Sequence, residues 1–148
     1  MGKLKVFISY SKKDKQLAGE LKKAFEAFGV EAFVAHDDIE SGSQWEEEIL
    51  KNLEVCDLFM PLETENLRGS HWCQQEIGIA LVKKKIIIPL LPSSGYVDPD
   101  GFHGKFQGFP IRIDDVRGSV RKLLVQQGVI ENKDDLPQFS GQFELPPV

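Results

Sequence analysis

Cysteine is scarce in this chain: two residues, Cys56 and Cys73, in 148. Their spacing matches no metal-ligand pattern, and two thiols make no disulfide framework. That excludes a zinc module and a stapled secreted scaffold, and it suits a reducing cytosol. Histidine is as thin, with His36, His71 and His103 scattered along the chain, so no metal site is expected. Long apolar runs are missing. The longest, Ile86 to Leu91, falls far short of the roughly 20 residues that cross a bilayer, so no membrane span is expected. Positive charge is in deficit, with 18 Lys and Arg against 23 Asp and Glu for a net charge of −5. This argues against a duplex nucleic-acid binder, whose affinity comes largely from neutralising phosphates. Met1 to Lys5 leads directly into a strand-like run, so no signal peptide is expected, and Val6 breaks the myristoylation pattern. The remaining composition, 41% hydrophobic and 28% charged, is that of a soluble, cytoplasmic globular protein long enough for one domain.

Hydrophobic periodicity divides the chain into alternating strands and helices. "KLKVFIS", Lys3 to Ser9, reads as a strand covered on both faces. Ser11 and Asp14 resemble a capping box for a helix with Leu17, Leu21, Ala24, Phe25 and Phe28 on one stripe, and Gly29 is a natural stop. Val30 to Ala35 is a short second strand, followed by the polar loop "HDDIESGS". Ser43 and Glu46 form a second capping box, opening a helix with Trp45, Ile49, Leu50 and Leu53 on its inner side. "VCDLFMPL" is a third strand, "ETENLRG" a loop, and Ser70 the N-cap of a helix running through Leu81. "KIIIPLL" is a fourth strand that bends or loses pairing at Pro89. Pro92 to Gly108, rich in glycine and proline, reads as an ordered loop with room for a short helical turn. "FPIRI" is a weak fifth strand, and Asp115 to Gln127 a last helix using Val116, Val120, Leu123 and Leu124. Residues 1–130 make one domain and 131–148 a tail of coil or partial order.

This alternation predicts an α/β fold of the flavodoxin-like kind: a five-stranded parallel sheet, order 2-1-3-4-5, with helices on both faces. In that order the connections leaving strands 1 and 3 go to opposite faces and open a crevice at their carboxyl ends, where such folds bind ligands. Those connections are "SYSKKD" and "ETENLRGSHWCQQE". On a helix capped by Ser70, Trp72 and Glu76 stand one above the other, while Cys73, Ile77 and Ala80 form a stripe toward the sheet. An aromatic surface and a carboxylate would thus meet near the hydroxyls of Ser9, Tyr10 and Ser11. The plainer alternative makes Trp72 a core anchor and Glu76 a solvated helix residue. Several tenants of the fold are excluded by motif. The acidic cluster of a phosphoacceptor, the glycine-rich flavin loop, G-x-G-x-x-G and G-x-S-x-G are all missing.

Taken together, "KVFISYSKKD", "GVEAFVAHDDIESGSQWEEEI" and "SHWCQQEIGIAL" resemble a TIR (Toll/interleukin-1 receptor) domain over about residues 3–124, prokaryotic members in particular. The resemblance implies cleavage of NAD+, as substrate rather than cofactor, at the nicotinamide–ribose bond, giving nicotinamide and ADP-ribose or a cyclic isomer. It implies a role in prokaryotic antiviral defence or cell-death signalling. The family's serine–x–tryptophan–x–x–x–glutamate setting falls on Ser70, Trp72 and Glu76, with Glu76 catalytic. Ser9, Tyr10 and Ser11 are the implied contacts of the pyrophosphate side, and Trp72 of a base or ring. Phe33, Asp37, Asp38 and Ser43 border the loop after strand 2, which in this family flanks the site and mediates self-association with other TIR domains. A non-enzymatic TIR–TIR adaptor is the alternative. Glu63 departs from the pattern, placing an acid where relatives often have a small or hydroxyl residue, and is expected to tune the ribose site or repel phosphate.

Overall fold

The computed structural model describes residues 3–34 and 43–131, the side chains of residues 43 and 44 excepted. Three parallel pairings build the sheet around β1 (Lys5–Ser9). It pairs with β2 (Glu31–Val34) on one side and β3 (Leu58–Pro61) on the other, and β3 pairs with β4 (Ile86–Ile87). The order β2-β1-β3-β4 is the expected one up to its fourth member. There the strand breaks: Ile88 N–H still reaches the Phe59 carbonyl at 2.9 Å, and Pro89 has no N–H to continue the ladder. Its second half, β5 (Leu90–Pro92), pairs instead with β6 (Phe109–Ile111), so the fifth strand joins a separate two-stranded parallel pair. A single bridge, Leu62 to Leu90, ties the pair to the end of β3.

Alternation along the central strands assigns the two layers. Val6, Ile8 and Tyr10 of β1 and its exit, with Leu58, Met60 and Leu62, face α1 (Lys15–Ala27) and α5 (Val116–Gln126) in one core. Phe7 and Phe59 face the other way, into a second core with Trp45, Ile49 and Leu53 of α2 (Ser43–Val55) and Cys73, Ile77 and Ala80 of α4 (His71–Val82). Each fully buried Leu or Phe stabilises by roughly 1.5–3 kcal/mol, so both layers hold the sheet. Leu50, expected on the inner side of α2, is instead 51% exposed. The apolar stripe of that helix needs only Trp45, Ile49 and Leu53, and Leu50 falls on its edge.

Two short elements occupy segments read as loops. Thr64 caps α3 (Glu65–Arg68), its hydroxyl accepting from Leu67 N–H, and a 3₁₀ turn spans Gly101–Lys105 in the glycine-rich stretch. A further 3₁₀ turn, Lys12–Asp14, precedes α1, so Ser11 caps that turn rather than the long helix.

Candidate active site

The ends of β1 and β3 lie in register, Ser9 opposite Pro61, with Leu62 N–H bonded to the Ser9 carbonyl at 2.8 Å. From this point the chain after β1 enters α1 on one face, and the chain after β3 enters α3 and α4 on the other. The crevice is therefore where the topology requires it. Ser9 follows Phe7 in the alternation and points toward α4. Ser70 opens that helix with an extended backbone, its Oγ accepting from Cys73 N–H at 3.3 Å. Cys73, Ile77 and Ala80 bury against the sheet, and Glu76, at the edge of that stripe beside Ala80, is drawn in to 2% exposure. A carboxylate so buried is costly without donors. Ser9 supplies one: its Oγ–H donates to Glu76 Oε1 at 2.7 Å.

On its other side Glu76 borders a slot of about 230 Å³ between α2 and α4. From α4 the slot takes Trp72, Gln75, Glu76 and Ile79. From α2 it takes Glu46, Ile49, Leu50 and Leu53. Both sets follow the i, i+3, i+4, i+7 spacing of a single helical face. Trp72 is 42% exposed, and its ring meets buried Trp45 edge-on, centroids 4.5 Å apart at 86°. Its indole is thus both oriented and partly open to solvent.

The Cys73 thiol, one turn before Glu76, is no nucleophile. Burial pushes its pKa up to about 11; the hydrogen bond with Ser70 offsets part of that, and the Glu76 charge adds to it. Both cysteines are free and buried.

The other expected site residues divide. Ser11 stays at the crevice edge, where its Oγ accepts from Lys13 N–H at 3.3 Å. Tyr10 does not enter it: one residue past Ser9, its side chain falls on the opposite face of the sheet and is fully buried in the core with α1 and α5. Only its backbone remains near the crevice. Phe33, half-buried on β2, packs at 5.2 Å against Phe7 and does not line the slot. Ser43 is the first residue of α2. Asp38, with His36 and Asp37, lies outside the described residues. Glu63 does not face the slot. It is buried and paired with His103, Nε2 to Oε2 2.8 Å, at a second cleft on the far side of α4 lined also by Arg68 and Gln74. No sequence signal joins residues 40 apart in this way.

One tie across the crevice was not legible either. Asp14, expected as the acid of a capping box with Ser11, accepts instead from Thr64 Oγ1 at 2.6 Å and Asn66 Nδ2 at 3.2 Å, fastening the turn after β1 to the connection after β3. Among the described residues no group of three or more His, Cys, Asp or Glu is placed to hold a metal ion, and no helix is long and apolar enough to cross a membrane.

A model of the TIR domain family matches residues 6–124. No curated protein matches the chain in sequence. Among solved structures, the TIR domain of the Toll-related receptor TRR-2 from Hydra magnipapillata superposes with a TM-score of 0.66 at 21% identity, over 82% of this chain and 95% of that one. The CMP N-glycosidase BcmB from Clostridium botulinum gives 0.54 at 22% identity, over 80% and 97%. A prokaryotic SEFIR domain gives 0.51 at 19%, over 81% and 95%. At these identities the likeness is one of fold.

Proposed function

The chain belongs to the TIR domain family, and from that footing we propose that it is an NAD+ glycohydrolase with Glu76 as its catalytic carboxylate. The observation that carries the reading is the buried Glu76, held by the Ser9 hydroxyl at the crevice and bordering a slot with a half-open indole four residues away. An N-glycosidase among the structural neighbours supports N-glycosidic chemistry on this fold.

The chemistry fits one carboxylate. Ordinary glycosidases need a second acid to protonate the leaving oxygen. The nicotinamide of NAD+ is already cationic and leaves as a neutral molecule with the bonding pair, so its departure needs no proton. Positive charge then develops at the anomeric carbon. Glu76 stabilises that charge and holds the ribose hydroxyls, while Ser9 keeps the carboxylate aimed. Water attacks the anomeric carbon and loses a proton, giving ADP-ribose; attack by a nucleophile within the substrate gives a cyclic isomer instead. In a cell the outcome is loss of NAD+ or release of a nucleotide signal, in keeping with a defence role.

Purified protein incubated with NAD+ is expected to release nicotinamide, and Glu76→Gln to lower the rate on the order of 10²–10³-fold or more with circular dichroism unchanged. Ser9→Ala leaves the carboxylate but removes one of its donors, and is expected to lower the rate by about tenfold. Full activity in Glu76→Gln moves the catalytic group elsewhere. Absence of turnover in the wild type, even when clustered on a scaffold, leaves the second reading, a TIR–TIR interaction module. The likeness to the TIR domain of a receptor favours that reading.

A further inference from the structure

The polar side chains of the α2–α4 slot are Glu46, Gln75 and Glu76; among the described residues no lysine or arginine lines it. The rest of the lining is apolar or aromatic. One buried carboxylate, Glu76, and one exposed carboxylate, Glu46, make a field that repels anions and favours a flat cation. A phosphate finds no counter-charge there.

Gln75 adds a second requirement. It lies three residues after Trp72 and beside Glu76 on the face that lines the slot, and its amide carries both a donor and an acceptor. The ring that matches it bears a primary amide, able to exchange two hydrogen bonds with it. The acid of the same shape offers only acceptors and brings a negative charge toward Glu46 and Glu76.

Resting on the reading that this slot receives the departing base, we propose that it is selective for a cationic, amide-bearing aromatic ring. Gln75 reads the amide, and Glu46 at the mouth of the slot rejects the corresponding carboxylic acid. Glu46 and Gln75 are specificity residues; neither takes part in bond cleavage.

Two measurements test this. In the first, NAD+ and its analogue with a carboxylate in place of the carboxamide are compared as substrates. The wild type prefers NAD+ by about tenfold or more in kcat/KM, and Glu46→Gln and Gln75→Ala each narrow the ratio by about threefold or more. Equal use of the two by the wild type, or ratios unmoved in both variants, overturns the assignment. The second needs no turnover. 1-Methylnicotinamide, a pyridinium without sugar or phosphate, quenches tryptophan fluorescence saturably through Trp72; nicotinate does not, and Glu46→Gln weakens the quenching by about threefold. Unsaturable quenching, or equal quenching by nicotinate, sinks the proposal even if NAD+ is cleaved. Saturable, charge-selective quenching without any cleavage leaves the slot assignment standing and removes the catalytic one.

Discussion

Cys73 reports on the environment of Glu76 without taking part in chemistry. Its thiol is raised from 9.0 to about 11, chiefly by burial, while in the unfolded chain it titrates near the ordinary value. Between those two pH values the unfolded state has released the proton and the folded state still holds it. Stability from this group is therefore complete below pH about 9 and is lost as pH rises toward about 11, at up to about 1.4 kcal/mol per pH unit. Urea midpoints measured from pH 7.5 to 10.5, in roughly half-unit steps, should fall more steeply for the wild type than for Cys73→Ala, by on the order of 2 kcal/mol in all. Parallel curves would show that the thiol is less enclosed than its position implies. At this scale the sequence was most informative where side chains share a helix. Trp72, Cys73, Glu76 and Ile77 follow from Ser70 and a 3.6-residue period. Partners on other elements were legible only when topology joined them, as with Ser9. Tyr10 shows the limit: a one-residue step in a strand reverses the face, and an aromatic next to a polar site reads as a ligand contact until the register is known.

Three helices end in the same way. After α1, Val30 N–H bonds to the Phe25 carbonyl at 3.0 Å; after α5, Val129 to Leu124 at 2.9 Å; after α4, Lys85 to Ala80 at 3.0 Å. Each closure needs a left-handed residue just past the helix. Gly29 and Gly128 take φ of 80° and 76°, but after α4 the position is Lys84, at φ 57°. A side chain there costs about 1 kcal/mol that glycine avoids. Lys84→Gly is thus expected to stabilise the protein by about 0.5–1 kcal/mol and raise Tm by about 2–4 °C by calorimetry. A lower Tm would mean that the lysine has a role its exposed position does not reveal. Because α4 carries Glu76, nicotinamide release by this variant should match the wild type, separating the helix end from the site. Gly29 could be read as a stop, and Pro89 as a break in the fourth strand, because each acts through its own backbone. The short helix α3 could not. Its four residues carry no period, and the cap, Thr64, also serves Asp14 from 50 residues away.

Among the described residues, the two cores are separate clusters on opposite faces of the sheet, so each must be closed by its own helices. The core shared by α1 and α5 is closed late in the chain, with Val129 and Ile130 packed against it after α5 ends at Gln126. The family match stops at residue 124, before these contacts. Among the described residues, packing therefore runs past the end of the family match. The boundary expected from the sequence falls after residue 130, and truncations on either side of it test that expectation. With the tail of coil expected from the sequence, a chain ending at Glu131 should melt within about 1–2 °C of the full chain. A chain ending at Gln127 loses the apolar cover of Val129 and Ile130 and the carbonyl closure at Leu124, and should lose on the order of 2–4 kcal/mol. The site lies in the other core, so nicotinamide release per folded molecule should be the same in both truncations at a temperature where each is folded. If the longer truncation, ending at Glu131, also loses several kcal/mol, residues 132–148 contribute to the fold, and the domain ends later than either argument places it.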